Sequence, residues 1–420
     1  MICYLIVVIP LVVTRQHQIY RLETLSSKMA SSDRELSDCI NDFTLDIYKH
    51  VTSQQPSGNL FMSPSSMMVV LTMLHVGSRN KTEDQMTQVL KLEKLDKKAI
   101  LRHMETFVST LKKGSKSVTL STANRLFPHT DKTILRDYIS LVSEHFKAEI
   151  KSMDYTTNAE GARVEINKWV EGETNSKIKD LLPGGSLNSL TAMVVVNAIY
   201  FKGNWATQFE PKDTKKSTFT KLNSDKEHID MMSRRMKKAK YGENRSLACK
   251  TLELPYEGEE LAMIVVLPNT NDGLLALEKQ LTLENLQSLV SGVHPGTVDV
   301  SLPKFKLETS LELKKVLSAL GMRDLFQDDA DLSGMGKDLY VSQVYHKAFV
   351  DVNEEGTEAA AATAAVVMKR SIQRTLDFKA DHPFLFMIWD HRLKVPLFIG
   401  RFVEPPSTAG PGFQQTKDEL

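Results

Sequence analysis

The chain has 420 residues, of which 41% are hydrophobic and 25% charged, and its formal net charge is +1. This composition is typical of a globular protein with a large apolar core, and it excludes a disordered or fibrous chain. A charge so close to zero gives no general attraction to nucleic acid, so we expect no nucleic-acid partner. The one basic run, 234–240, is flanked by Asp230 and Glu243, which favours a solvated strand or loop over a polyanion site.

The N-terminus begins with an apolar run that ends at Val13 and is too short to cross a bilayer. Its length is that of a signal-peptide core, so we assign residues 1–28 to a signal peptide or N-terminal extension. Met29 is a second candidate start, and translation from it would give a cytosolic product. Two cysteines remain after this segment, Cys39 and Cys249, and we expect both to be free thiols.

The hydrophobic pattern predicts helices in the first half of the chain and strands in the second. Apolar periodicity predicts three helices, at 36–51, 66–76 and 160–180. Either Ser63 or Ser65 is suited to cap the second helix. Apolar and β-branched runs predict four strands, at 192–201, 261–267, 298–302 and 396–402. We therefore expect an α+β fold built around large sheets, with no linker dividing 29–405.

Signatures of catalysis are missing from the sequence. The segment Gly184-Gly185-Ser186-Leu187-Asn188 lacks the last glycine of the G-x-S-x-G nucleophile motif. There is no H-E-x-x-H, no paired C-x-x-C and no phosphate-binding glycine loop, and the 11 histidines do not group at metal-ligand spacing. We expect a protein that is not an enzyme and that uses no cofactor and no metal.

An alanine-rich segment followed by a basic pair is the most informative part of the chain. Alanine is the best helix former, so residues 357–365 have a plain helix as one interpretation. In a strand, the small side chains of Thr357, Ala359, Ala361 and Thr363 would share one face and could slide between existing strands. The following pair, Lys369-Arg370, is either protease bait or an incidental surface dipeptide.

Four motifs in order resemble those of the serpin family, and the resemblance covers about residues 30–405. They are Asn59–Ser66, Asn197–Trp205, the segment 354–363, and the C-terminal strands 382–386 and 396–401. The third resembles the hinge of inhibitory serpins and consists of Glu354, Glu355, Gly356, Thr357, Glu358, Ala359, Ala360, Ala361, Ala362 and Thr363. The resemblance implies three β-sheets surrounded by eight to nine helices, with an exposed reactive-centre loop.

The resemblance also implies a suicide-substrate mechanism. A protease cleaves the loop and forms an acyl-enzyme, after which the loop inserts into the main sheet and traps the enzyme covalently. In inhibitory members the scissile-bond residue follows the hinge glycine by fourteen positions, which gives Arg370-Ser371 here. The bait subsites are then Val367, Met368 and Lys369. A basic pair suggests furin-like proprotein convertases, although Val367 stands where furin-like members prefer arginine, and trypsin-like enzymes need only Arg370.

Other positions carry over from the family motifs. Ser63, Ser66, Asn197 and His346 resemble the shutter, a buried cluster under the central sheet whose hydrogen bonds control the parting of strands. Trp205 resembles the tryptophan of the breach, at the top of the sheet where the loop first enters. For His346 we expect a satisfied core histidine and not a catalytic one.

The C-terminus contains a localisation signal. Lys417-Asp418-Glu419-Leu420 is the ER-retrieval signal, and it closes a flexible tail assigned to 406–420. We expect an ER-luminal or secretory-pathway protein without a membrane span, glycosylated at the sequons of Asn80 and Asn244. The expected partners of this monomer are the target serine protease and the KDEL receptor. The two alternatives are a non-inhibitory ER chaperone serpin and a cytosolic inhibitor that starts at Met29.

Overall fold

The computed structural model describes residues 35–113, 118–355 and 375–406, and the remaining residues lie outside this description. The described part contains nine α-helices. They are α1 (35–54), α2 (Pro64–Gly77), α3 (Asn80–Val89), α4 (Lys97–Lys113), α5 (Arg136–Leu141), α6 (Ala159–Glu173), α7 (Leu274–Gln280), α8 (Leu283–Ser291) and α9 (Leu313–Leu320). A π-helical turn at Val142–Phe146 continues α5.

The same part of the chain forms fourteen strands. They are β1 (Leu60–Met62), β2 (Val118–Pro128), β3 (Glu149–Ile150), β4 (Met193–Gly203), β5 (Lys215–Thr220), β6 (Lys226–Asn244), β7 (Cys249–Pro255), β8 (Leu261–Pro268), β9 (His294–Pro303), β10 (Phe305–Glu312), β11 (Gln343–Val352), β12 (Leu376–Lys379), β13 (Phe384–Asp390) and β14 (Val395–Phe402). All four predicted strands and the first two predicted helices are present.

The predicted helix 160–180 is too long, because α6 ends at Glu173. Asn175 and Ser176 have φ angles of 51° and 58°, in the left-handed region that an α-helix cannot continue through. The helix begins where a side chain caps it, since Asn158 Oδ1 accepts a hydrogen bond from the Gly161 amide. The hydrophobic pattern alone did not report this turn.

The strands form two hydrogen-bonded networks. One has five strands in the order β10-β11-β4-β2-β3, and the other has nine, in the order β1-β14-β13-β8-β7-β6-β9-β12 with β5 paired to β6. The second network contains two of the three expected sheets. They are continuous because β6 is 19 residues long and pairs first with β5 and β9 and then with β7. The α+β class is confirmed.

The five-stranded sheet lies between two helices. Val195, Ile199 and Phe201 of β4 face the main core, which also contains the fully buried helix α2. The alternate residues, such as Val194 and Val196, join a second cluster under α6. A strand in a sheet that is covered on both faces has a nearly continuous apolar sequence, and β4 shows this pattern.

Candidate functional site

The predicted loop leaves the fold after β11 and returns at β12. The structure describes Glu354 and Glu355 at its start and Thr375 at its end. The hinge positions Gly356 to Thr363, the bait residues Val367, Met368 and Lys369, and the bond between Arg370 and Ser371 lie outside the described residues. Their roles stay predictions, and the site can be built only from the elements that anchor the loop.

The strand order shows where a returning loop would fit. β11 is antiparallel to β10 on one side and parallel to β4 on the other, with Gln343–Phe349 opposite Val194–Tyr200. A chain that turns back after Glu355 runs antiparallel to β11, and therefore also to β4. An added strand between β11 and β4 would thus form two antiparallel ladders. In this structure the two strands are directly paired, so no strand lies between them over this register.

A row of polar side chains crosses this sheet at one level. His346 of β11 is opposite Asn197 of β4, and Asn197 is opposite Asn124 of β2. His346 Nδ1 lies 2.5 Å from Asn197 Oδ1, and Asn197 Nδ2 donates to Asn124 Oδ1 and, at 2.7 Å, to Ser66 Oγ of α2. The row therefore links three strands to the helix beneath them.

The protonation state of His346 follows from its partners. Its Nε2 accepts a hydrogen bond of 3.2 Å from the Ser63 amide, so the proton must reside on Nδ1, which donates to Asn197. Complete burial lowers the pKa of His346 to about 3, because the cation could not be solvated there. The ring is neutral at physiological pH and acts as a fixed connector between strands.

The N-terminus of α2 holds this row in place. Ser63 is the N-cap of α2, since its Oγ accepts from the Ser66 amide at 3.3 Å, and it donates to the Leu397 carbonyl of β14 at 2.6 Å. Ser65 Oγ donates to the Pro396 carbonyl at 2.6 Å. All four residues assigned to the shutter from the sequence are thus brought together.

Asn124 belongs to the same cluster but was missed in the sequence. Nothing in the local pattern of β2 distinguishes it from any polar residue of a half-exposed strand. Only the antiparallel register places it opposite Asn197. Asn124 could have been found only if the alignment of β2 with β4 were known, because this alignment pairs it with the buried Asn197.

The predicted breach residue Trp205 contacts the root of the loop directly. Its indole Nε1 donates to the Asn353 carbonyl at 2.9 Å, and its amide donates to the Glu355 carbonyl at 3.1 Å. The ring is 2% exposed and stacks on Tyr256 with centroids 4.6 Å apart. Trp205 therefore holds the chain at the point where the predicted hinge begins.

Glu354 is held at the same point by a charged contact that the sequence did not reveal. One carboxylate oxygen accepts from Lys304 Nζ at 2.8 Å and the other from Thr214 Oγ1 at 2.8 Å. Burial opposes ionisation of Glu354, but the hydrogen bonds from Lys304 and Thr214 outweigh it and lower the pKa of the carboxyl below its usual value. The first two residues of the predicted hinge, Glu354 and Glu355, are thus firmly anchored.

The remaining predicted sites are simpler. Asn80 is exposed and donates to Asp331 Oδ2 at 2.6 Å, and Asn244 is half-buried at the end of β6. Both reach the surface, while their glycosylation stays a prediction.

Cys39 and Cys249 are free, as expected, and burial raises the pKa of their thiols to about 12 and about 11. Among the described residues no group of acidic, histidine or cysteine side chains could hold a metal, and no helix could cross a membrane.

Comparison with known proteins identifies the family. The family model for serpins, described as serine protease inhibitors, matches residues 38–405. The chain therefore belongs to the serpin family. It is a serine protease inhibitor of the serpin type and not an enzyme, as the sequence predicted.

The chain aligns with its relatives over nearly their whole length. The chain is 41% identical to a leukocyte elastase inhibitor of Xenopus tropicalis over 378 residues, covering 88% of this chain and 99% of that protein. The human leukocyte elastase inhibitor is 38% identical over 380 residues, which cover 88% of this chain and all of the human protein. Among solved structures, uncleaved ovalbumin matches with a TM-score of 0.81 and 30% identity, covering 88% of this chain and 100% of ovalbumin.

Proposed function

We propose that this serpin traps proteases that cleave after basic residues, by cleavage of Arg370-Ser371 and insertion of the loop between β11 and β4. The observation that carries the proposal is the parallel pairing of these two strands beside the root of the loop. The basic pair Lys369-Arg370, counted from Gly356, supplies the specificity. A target enzyme would bind Arg370 with a carboxylate in its specificity pocket, often as a bidentate pair.

The energetics favour insertion once the loop is free. Seven residue pairs join β11 to β4, and an inserted strand would replace this one ladder with two. The net gain is about one ladder, or ~7 hydrogen bonds at ~1 kcal/mol each. This gain of about 7 kcal/mol lies within the usual range for the whole stability of a domain. After cleavage, insertion of the loop into the sheet would therefore be strongly favourable.

The hinge is suited to this step because its side chains are small. A strand entering between β11 and β4 must pass between the core around α2 and the cluster under α6, both of which are already packed. Thr357, Ala359, Ala361 and Thr363 would share one face of that strand. Larger side chains would force those packed layers apart, at a cost of about 1–3 kcal/mol each.

The relatives' name raises a second candidate, inhibition of an elastase. An elastase has a small specificity pocket that cannot accept arginine. It would have to cut after one of the smaller residues that precede the pair, such as Val367. This alternative predicts a different scissile bond, so the two can be separated directly.

The test is to mix the purified protein with a furin-like convertase, trypsin and an elastase. We expect an SDS-stable covalent complex with an enzyme specific for basic residues. We also expect a released C-terminal fragment whose mass shows that it begins at Ser371. The variant Arg370→Ala should lose this complex, while Arg374→Ala, in the same segment, is the matched control and should keep it. A fragment that begins after Val367 or Met368 would support the elastase alternative.

Cleavage also separates the inhibitor from the chaperone alternative. Insertion adds a strand to the sheet, and its gain of about 7 kcal/mol corresponds to about 10 °C for about 350 residues, so the cleaved protein should have a thermal midpoint higher than that of the intact protein by at least this amount. A chaperone serpin would need no insertion. An unchanged midpoint after clean cleavage at Arg370 would therefore favour the chaperone.

We further propose that the protein resides in the ER lumen, where convertases pass. This rests on Lys417-Asp418-Glu419-Leu420 being the C-terminus in the cell, a receptor-read address. Deletion of these four residues should send the protein into the medium, carrying glycan at Asn80, Asn244 or both. A cytosolic signal that is free of glycan and insensitive to the deletion would establish Met29 as the start.

A further inference from the structure

A β-bulge in β6 carries two lysines that the trapping mechanism does not use. Met236 is opposite Val298 of β9, and the next pair is Ala239 with Gly296, so β6 has one extra residue at this point. Met236 and Ala239 are buried, whereas Lys237-Lys238 between them is exposed. Both side chains therefore face solvent on the same side of the sheet, because the bulge interrupts the strict alternation of a strand.

The charge of these lysines is not neutralised by their neighbours. Within the described residues neither ammonium group of Lys237-Lys238 forms an ion pair. The adjacent Asp299 is engaged by Arg235, with two contacts of 2.6 and 2.7 Å. The flanking acids expected to compensate the basic run are also engaged elsewhere, Asp230 with a lysine of β5 and Glu243 with a tyrosine hydroxyl of β6.

The bulge lies close to the point where the loop returns to the fold. Val298 of β9 pairs with Met236 on one side and with Leu376 of β12 on the other. Two strand spacings separate Leu376 from Met236, about 10 Å. Ser371 precedes Leu376 by five residues, a reach of at most about 18 Å. The bulge is therefore within about 28 Å of the proposed scissile bond.

A bound protease would extend close to the bulge. A catalytic domain of about 250 residues has a radius of gyration of about 18 Å, so its body extends about 23 Å to either side of a central active site, and the bulge, at no more than about 28 Å, lies near the edge of the area that it covers. An enzyme selective for Lys369-Arg370 has carboxylates in the subsites that bind this pair, so the face that meets the serpin has a negative potential. Its charge is thus complementary to that of the bulge.

We propose that Lys237 and Lys238 form an accessory docking contact for a carboxylate-rich surface beside the active site of the target protease. This inference rests on the proposed function, since it needs a protease bound at Arg370. Charges at the rim of an interface mainly change the association rate. The two lysines therefore speed the approach of the protease and take no part in cleavage or insertion.

The test compares the double variant Lys237→Glu/Lys238→Glu with Lys112→Glu/Lys113→Glu. The control pair is exposed at the end of α4, a helix that packs on α2 and the π-helical turn. The measurements are the second-order rate constant of inhibition of a soluble furin-like convertase and the stoichiometry of inhibition. At 50 mM salt we expect the bulge variant to be about three- to tenfold slower, with unchanged stoichiometry and an unchanged control. The difference should disappear at 1 M salt, where the Debye length is about 3 Å.

Equal rates for the two double variants would overturn the inference, and the proposed function would stand because both still trap the enzyme. Absence of any covalent complex with the unmodified protein would instead refute the proposed function. The rates should be repeated with heparin. A bulge variant that differs from the control only when heparin is present would show that the lysines bind a polyanion, and this would also overturn the inference.

Discussion

Replacing His346 by leucine should lower the stability of the intact protein more than that of the cleaved protein. Leucine preserves most of the buried volume but removes both hydrogen bonds of the ring. The Ser63 amide and Asn197 Oδ1 are then left buried without these partners, at about 1–3 kcal/mol each. Taking 1.5 kcal/mol for each, the intact protein loses about 3 kcal/mol.

The two forms differ because an inserted strand separates β11 from β4. If the loop inserts as proposed, His346 and Asn197 are no longer neighbours in the cleaved form, and only the loss at Ser63 remains. With an unfolding entropy of about 2.1 cal/mol/K per residue over about 350 residues, 3 kcal/mol corresponds to ~4 °C and 1.5 kcal/mol to ~2 °C. Scanning calorimetry of intact and cleaved samples measures both shifts.

His75→Leu is the matched control. His75 is a buried histidine of α2 whose Nε2 bonds to Thr87 Oγ1 of α3 at 2.8 Å, away from the β4–β11 pair. Its replacement should lower both midpoints equally. If His346→Leu also lowered the two midpoints equally, the shutter cluster would be only a structural element, and insertion between β11 and β4 would be contradicted.

Three further predictions concern pH, the loop root and the hinge. Burial lowers the pKa of His346 to about 3 and of His75 to about 4. As the pH falls below about 6.5, both histidines therefore bind protons in the unfolded chain before they do so in the folded protein, which favours unfolding. Stability should therefore be complete above pH 6.5 and fall by about 1.4 kcal/mol per pH unit for each ring as the pH drops toward 4, and denaturant titration of His346→Leu should show a shallower fall. Lys304→Met should leave Glu354 without its cation and cost ~1 kcal/mol because Lys304 is partly exposed, with faster loss of inhibition on mild heating. Lys306→Met breaks the pair of Lys306 with Asp351 inside the β10–β11 ladder and leaves Glu354 anchored, so it should not speed that loss. Ala359→Pro should convert the inhibitor into a substrate, since proline removes a ladder donor from a central strand, and retained covalent trapping on a gel would contradict insertion.

The sequence by itself determined the family, and it predicted three of the nine helices and four of the fourteen strands of the described residues. The predicted strand 192–201 corresponds to β4 because residues buried on both faces leave a continuous apolar run, which no other local structure of that length explains so well. Ser63 could be predicted as a helix cap because capping acts between residues three positions apart. Ser66, Asn197 and His346 followed from family motifs, and the structure brings them together.

Only the tertiary structure decided which strands are neighbours and what anchors the loop. Asn124 and Asn197 are 73 positions apart, and Lys304 and Glu354 are 50 apart, so neither pair leaves a local signal. The bulge at Lys237-Lys238 exists only relative to β9, and the acids that flank the basic run in sequence turned out to be engaged with other residues. Register between distant strands depends on which faces pack together, and a one-dimensional pattern of polar and apolar residues does not contain that information.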